Sequence, residues 1–205
     1  MKGLHLVTDR GLCRGRSLES VVCAAALGGV ASVQLREKGL AFEPFRDQAA
    51  SLKAILDPLG IPLIINDAVA VAEAVGAAGV HVGQGDMPCE QVRRILGPRA
   101  IIGLSVETWE DVLRAQDQPV DYLGVSPVFA TATKTDTGRA WGLEGLRRIR
   151  AFSRHPLVAI GGINPGNIAS VATAGAEGFA VVSALCGAED PRQAAQDLTR
   201  LLLIL

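Results

Sequence analysis

The sequence predicts a single compact (β/α)8 TIM barrel over residues 1–205, on three observations. Short runs rich in Val, Ile and Leu recur eight times, segments of helical character lie between them, and polar residues gather at only one end of the apolar runs. Strands this apolar, each followed by a crossover helix, form a parallel sheet covered on both faces. Eight such units in succession close a barrel rather than an open doubly wound sheet, and 205 residues lie near the lower end of the range for that fold.

The strand candidates are LHLVTD (4–9), SVQLRE (32–37), PLIIND (62–67), GVHVG (79–83), AIIGLSV (100–106), YLGVSPV (122–128), PLVAIGG (156–162) and GFAVVSAL (178–185). Between and after them lie LESVVCAAALGG, PFRDQAASLKAIL, AVAVAEAVGAAG, EQVRRILG, TWEDVLRAQ, LEGLRRIRAFS, GNIASVATAGA and DPRQAAQDLTRLL. Several of these end in Gly, which suits a helix C-terminus. No Pro/Ser-rich linker or low-complexity tract interrupts the alternation, so one domain is expected.

Composition narrows the function. Hydrophobic residues make up 49% and aromatics only 4%, so the core must be built from Ala, Val, Ile and Leu. A formal net charge of -1 gives no global attraction to nucleic acid or to an anionic membrane, and any anion site must be local. Cys13, Cys23, Cys89 and Cys186 form no C-x-x-C pair and read as thiols rather than as zinc ligands or disulfides. MKGLHLVTDRG reaches charged residues too soon for a signal peptide, and no run has transmembrane length. A soluble, cytoplasmic enzyme is the expectation, and the apolar LTRLLLIL at the C-terminus offers a contact for homo-oligomer formation.

Chemistry in such barrels sits on the loops after the C-terminal strand ends. In VQLREK, residues two apart share a face, so Gln34, Arg36 and Lys38 point one way while Val33 and Leu35 point the other. The third apolar run ends in Asn66-Asp67, and the fourth leads through His81 and Gln84 to Asp86. Ser105 follows on the fifth run, TATKTDTGR after the sixth, Gly161-Gly162 on the seventh and Val182-Ser183 on the eighth. The opposite ends (GVAS, LGIP, GPRA, RHP) carry no comparable set.

Asp67 and Asp86 are hard oxygen donors with no Cys or His set beside them, a combination that favours Mg²⁺. Arg36, Lys38 and Lys134 supply positive charge for phosphates. GGINPGN reads as a second, metal-free cradle, with glycines at 161 and 162 leaving room for an anion and a helix starting at Pro165. Each element also has a plainer reading. Asp67, Asp86 and Ser105 can serve as helix N-caps, Lys38 as a solvated strand-end charge, and His81 as a hydrogen-bonded core residue.

Taken in order, LVTD, QLREK, IND, GVHVGQGDMP, IGLSV, PVF-x-T-x-TK, AIGGINP and GFAVVSAL resemble the thiamine-phosphate synthase family, from near residue 4 to about residue 186. The resemblance implies condensation of a pyrimidine methyl diphosphate with a thiazole phosphate, releasing pyrophosphate. It implies that Gln34, Leu35, Arg36, Glu37, Lys38, Asn66, Ser105 and Lys134 hold the pyrimidine diphosphate, with Arg36, Lys38, Ser105 and Lys134 in catalytic roles. Thr131, Ala132, Thr133, Gly162, Val182 and Ser183 would hold the thiazole phosphate, and Asp67 and Asp86 the Mg²⁺. The chain departs from the family pattern at Ala68, Gly85, Glu107 and Ser126, none of which is a proposed phosphate or metal group. Two other readings stand beside this one. A thiazole tautomerase of similar fold is expected to lack the metal carboxylates and the loop lysine, and to carry a His after the sixth strand; this chain has none between residues 82 and 154. A non-catalytic barrel that binds a phosphorylated metabolite is the other.

Overall fold

The structure is a computed structural model that describes residues 1–131 and 139–204. Eight parallel strands close in sequence order: β1 (Gly3–Val7), β2 (Ser32–Leu35), β3 (Leu63–Asn66), β4 (Gly79–Val82), β5 (Ile101–Val106), β6 (Tyr122–Val125), β7 (Leu157–Ile160) and β8 (Gly178–Val181). β8 pairs back onto β1, with His5 opposite Ala180, so the barrel has no open edge. Outside it run α1 (Leu18–Leu27), α2 (Phe42–Leu56), α3 (Val69–Val75), α4 (Cys89–Leu96), α5 (Trp109–Ala115), α6 (Gly142–Phe152), α7 (Ile168–Thr173), α8 (Ser183–Cys186) and α9 (Pro191–Leu203). No described helix is long and apolar enough to cross a membrane.

Local chemistry accounts for several boundaries. Ser17 caps α1 by accepting from the Ser20 amide, and Asp190 caps α9 ahead of Pro191 by accepting from the Gln193 amide. Thr108 and Asp111 form a reciprocal capping box on α5. That box supplies the N-cap, so Ser105 is not one. Nor do Asp67 and Asp86 cap helices: α3 and α4 begin after Ala68 and Pro88, with no side-chain cap bond at either.

The strands alternate, one face to the helices and one to the barrel axis. Leu4, Leu6, Val33, Leu35, Ile65 and Val80 pack outward in the main apolar core, which is built from aliphatic side chains as the composition requires. Val7, Tyr122, Val158 and Ala180 form a second, smaller cluster inside the barrel. At the base of the interior, His5 Nδ1 lies 2.8 Å from Ser32 Oγ. Burial, helped by the nearby N-terminal amine, lowers the His5 pKa to about 4 and keeps the ring neutral.

Three differences from the sequence boundaries bear on the site. β2 ends at Leu35, so Arg36 and Lys38 stand on the loop beyond it. β8 ends at Val181, and residues 183–186 turn into α8 because the Leu185 and Cys186 amides both donate to the Val182 carbonyl. α7 starts at Ile168 rather than at Pro165.

Candidate active site

A cavity of about 500 Å³ opens at the C-terminal mouth of the barrel and reaches down its axis. It gathers residues from every strand end. Gln34, Arg36 and Lys38 line it from the β2 side, Asn66 and Asp67 from β3, Asp86 from the loop after β4, and Ser105 from β5. Thr131, Gly162, Val182 and Ser183 line the opposite arc. Two expected residues have side chains elsewhere. Leu35 is fully buried in the outer core, because alternation turns it away from Gln34, and it does not line the cavity. Glu37 pairs with Arg10 at 3.3 Å across the rim. Ala132, Thr133 and Lys134 lie outside the described residues.

The loop after β2 is held by a residue the sequence did not flag. Thr8 is fully buried, its amide donates to the Gln34 carbonyl at 2.9 Å, and its hydroxyl accepts from the Arg36 amide at 3.0 Å. These bonds extend the β1–β2 ladder past the strand end and fix the backbone from which Arg36 projects. Gln34, Arg36 and Lys38 therefore reach the same cavity although only Gln34 lies on the strand.

The two carboxylates share one corner of the mouth. Asp67 has φ +60°, a left-handed conformation that Asp tolerates better than most residues. Asp86 Oδ2 accepts from the Gly83 amide at 2.7 Å, which orients its carboxylate. Desolvation raises the Asp67 pKa to about 6, with a contribution from Asp86, whose carboxyl lies within hydrogen-bonding reach; Arg36 and Asn66 oppose the shift. Two neighbouring carboxylates, one of them desolvated in this way, are a donor pair that a hard divalent cation would relieve. No group of three or more His, Cys, Asp or Glu fit to hold a metal occurs among the described residues. A cation here would complete its shell with water and ligand oxygens, the usual habit of Mg²⁺.

The cradle after β7 is tied by its own side-chain hydrogen bonds. Gly161 and Gly162 have φ of +100° and +66°, and the side-chain amides of Asn164 and Asn167 both donate to the Gly162 carbonyl, at 3.1 and 2.9 Å. A Cβ on Gly162 would sit 2.8 Å from Phe129 Cβ and 3.0 Å from the Ala130 carbonyl oxygen. Glycine is needed there for backbone conformation and for contact with the loop after β6, rather than for open space toward an anion.

Deeper in the barrel, His81 occupies the axis. Its Nε2 lies 2.8 Å from Ser105 Oγ and its Nδ1 2.9 Å from the Tyr122 hydroxyl. Room for the two rings comes from glycine. A Cβ on Gly103 would lie 2.1 Å from Tyr122 Cζ, and one on Gly124 would lie 2.7 Å from His81 Cε1. Gln84 adds a 2.7 Å bond from its amide to the Ser105 carbonyl.

The profile of the thiamine monophosphate synthase family matches residues 4–185. The chain belongs to that family. A thiamine-phosphate synthase of Albidiferax ferrireducens is 59% identical over 199 residues, covering 97% of this chain and 91% of that one. One of Leptospira biflexa is 52% identical over 198 residues, 95% and 94% of the two chains. The solved thiamine phosphate pyrophosphorylase of Pyrococcus furiosus superposes with a TM-score of 0.89 at 37% identity, over 98% of this chain and 96% of its own. Membership in the synthase family accords with the barrel and with a mouth that pairs cationic and acidic groups. The chain is thus a transferase of this family.

Proposed function

We propose that this mouth joins 4-amino-2-methyl-5-(diphosphooxymethyl)pyrimidine to a thiazole phosphate, giving thiamine phosphate and pyrophosphate. The observation that carries the reading is the convergence of Arg36 and Lys38 with Asp67 and Asp86 on one cavity, in a chain whose relatives are named for this reaction. Breaking the C–O bond to diphosphate yields a pyrimidine-stabilised carbocation, which the thiazole nitrogen then captures. Such a step needs no protein nucleophile. It needs charge placed where the leaving group develops it, and two partners held in line.

Arg36 and Lys38, with Lys134 from the loop after β6, would meet the departing diphosphate oxygens. Asp67 and Asp86 would hold Mg²⁺, whose chemistry there is to neutralise the diphosphate. Gln34, Asn66 and Ser105 would orient the pyrimidine. Thr131 to Thr133, Gly162, Val182 and Ser183 would receive the thiazole phosphate, with backbone amides near 162 and 183 as donors. The tautomerase reading has less support, because the chain keeps both carboxylates and Lys134. The test is incubation with both phosphorylated substrates and Mg²⁺ while pyrophosphate release is followed. Asp67→Ala and Asp86→Ala are expected to lose most product formation while keeping the wild-type circular dichroism spectrum. Wild-type turnover of either variant in EDTA would remove the metal from the reading.

A further inference from the structure

Closure of the barrel leaves one seam without a covalent bridge. Every other pair of neighbouring strands is joined by a helical crossover, whereas β8 and β1 are the last and first strands. Their backbone pairing runs from Gly3–Gly178 to Leu6–Val181 and stops just before Val182 and Ser183, which line the cavity. Beyond that point an arginine spans the seam. Arg16 lies in the turn between β1 and α1, and its guanidinium donates to four carbonyls at once. Nε bonds the Cys13 carbonyl at 3.0 Å on its own side of the seam. The two terminal nitrogens reach across to Cys186 and Glu189 at 3.0 Å and to Ala188 at 2.7 Å. Arg14 adds a longer bond of 3.4 Å to the Gly187 carbonyl.

We infer that Arg16 is a positioning residue for the thiazole phosphate side of the mouth, acting through Ser183 without touching the ligand. The inference rests on the proposed thiazole phosphate site and deepens it.

α8 is a single turn, Ser183–Cys186, and a turn that short does not hold itself in water, because nucleation costs more than its few bonds return. Those bonds nevertheless tie its two ends together. The Leu185 and Cys186 amides donate to the Val182 carbonyl, and the Gly187 amide donates to the Ser183 carbonyl at 3.0 Å. The turn therefore moves as one piece, with Ser183 at the cavity and the carbonyls of Cys186, Ala188 and Glu189 at the far end. Carbonyls at a helix end need donors from outside the helix, and Arg16 supplies them. Its planar fork offers five donors in fixed directions, so four bonds set the far end more tightly than the point charge of a lysine could. Without the clasp the turn is free to shift, and Ser183 shifts with it. The pyrimidine side has a separate anchor, because the Arg36 amide hangs on the buried Thr8 hydroxyl.

The experiment follows pyrophosphate release with Mg²⁺ present, each phosphorylated substrate being varied while the other is saturating. In Arg16→Ala the KM for the thiazole phosphate is expected to rise about tenfold, while that for the pyrimidine diphosphate stays within about twofold. Arg16→Lys keeps the charge but not the fork, and roughly a threefold rise confined to the thiazole phosphate is expected. Should Arg16→Ala fail to fold, Arg16→Lys decides on the same terms. A purely structural role would raise both KM values together or neither, and either result overturns the inference. A double-mutant cycle adds a second reading. In a Ser183→Ala background the effect of Arg16→Ala is expected to shrink, because residues acting as a unit are not additive. Full additivity would place the influence of Arg16 outside Ser183 and overturn the inference. No pyrophosphate release by wild type overturns the proposed reaction and this inference with it, whereas release with unselective variants overturns the inference alone.

Discussion

Asp67 combines a left-handed backbone with a carboxyl raised to about 6, because desolvation in the mouth and the neighbouring Asp86 carboxyl outweigh Arg36 and Asn66. The consequence for stability follows in sign. A carboxyl that holds its proton more tightly folded than unfolded penalises the fold above about pH 6, where it is ionised in both states. The penalty fades as pH falls from about 6 toward the ordinary value of 3.8. Asp86→Asn keeps an oxygen acceptor for the Gly83 amide and removes the facing charge. In EDTA at pH 8 the variant is expected to melt above wild type, with the gain disappearing near pH 4. Thermal melts across that range check it, and a variant less stable than wild type at pH 8 would contradict the assignment. The same substitution is expected to abolish any stabilisation by Mg²⁺, the result that a proposed cation site kept at the expense of apo stability requires.

At the scale of elements, strand interiors and strand ends carry different duties. Gly103 and Gly85 look alike in the sequence, yet an added Cβ at 103 meets Tyr122 and His81 below 2.5 Å, while at 85 nothing lies within 4 Å. Gly103→Ala is therefore expected to cost about 2 kcal/mol or more in denaturant unfolding, through overpacking of the barrel interior. Gly85→Ala should stay within about 0.5 kcal/mol. The β1 end makes a second case. Thr8→Val keeps the shape but leaves the Arg36 amide without its acceptor, at a cost of about 1 kcal/mol. The loosened β2 loop should weaken pyrimidine diphosphate binding more than thiazole phosphate binding, which parallel titrations would read. Equal weakening of both ligands would assign Thr8 to general packing.

Over the whole molecule, closure of β8 onto β1 brings the residues of the two proposed anion sites onto one rim. Arg36 and Lys38 approach from the β2 side, whereas Gly162 and Ser183 follow β7 and β8. Arg36→Ala is expected to weaken the pyrimidine diphosphate at least tenfold and spare the thiazole phosphate, since charge-assisted bonds are worth about 1.5–3 kcal/mol. Ser183→Ala should show the reverse preference more mildly. Gly162→Val is a poor probe of either ligand, because its side chain would first displace Phe129 and the loop after β6. Calorimetry of each ligand against Arg36→Ala and Ser183→Ala decides whether the rim holds two sites or one.

Eight apolar runs with helices between them were enough to read the barrel, because a strand buried on both faces has to be apolar along its length and a parallel sheet has to be covered. The mouth was legible for a related reason. Packing alone gives polar residues no cause to gather at the same end of successive strands, whereas a shared binding site does. Gln34, Arg36, Asn66, Asp67, Asp86 and Ser105 could therefore be named in advance, and all of them line the cavity. What local pattern could not provide was distance between residues remote in the chain. His81 and Tyr122 are 41 residues apart, and Thr8 and Arg36 are 28 apart. His81 reads as a hydrogen-bonded core residue, and Thr8 goes unremarked, until closure of the barrel sets each against its partner. The glycines show the same limit. The sequence reading assigns the smallness of Gly162 to room for an anion, and only the packed loop after β6 shows that protein atoms occupy the space. Residue type and period determined the fold and the chemical character of its mouth. Tertiary contact decided which polar groups are paired, because hydrogen bonds and steric exclusion act across a few ångströms, a scale on which sequence separation has no bearing.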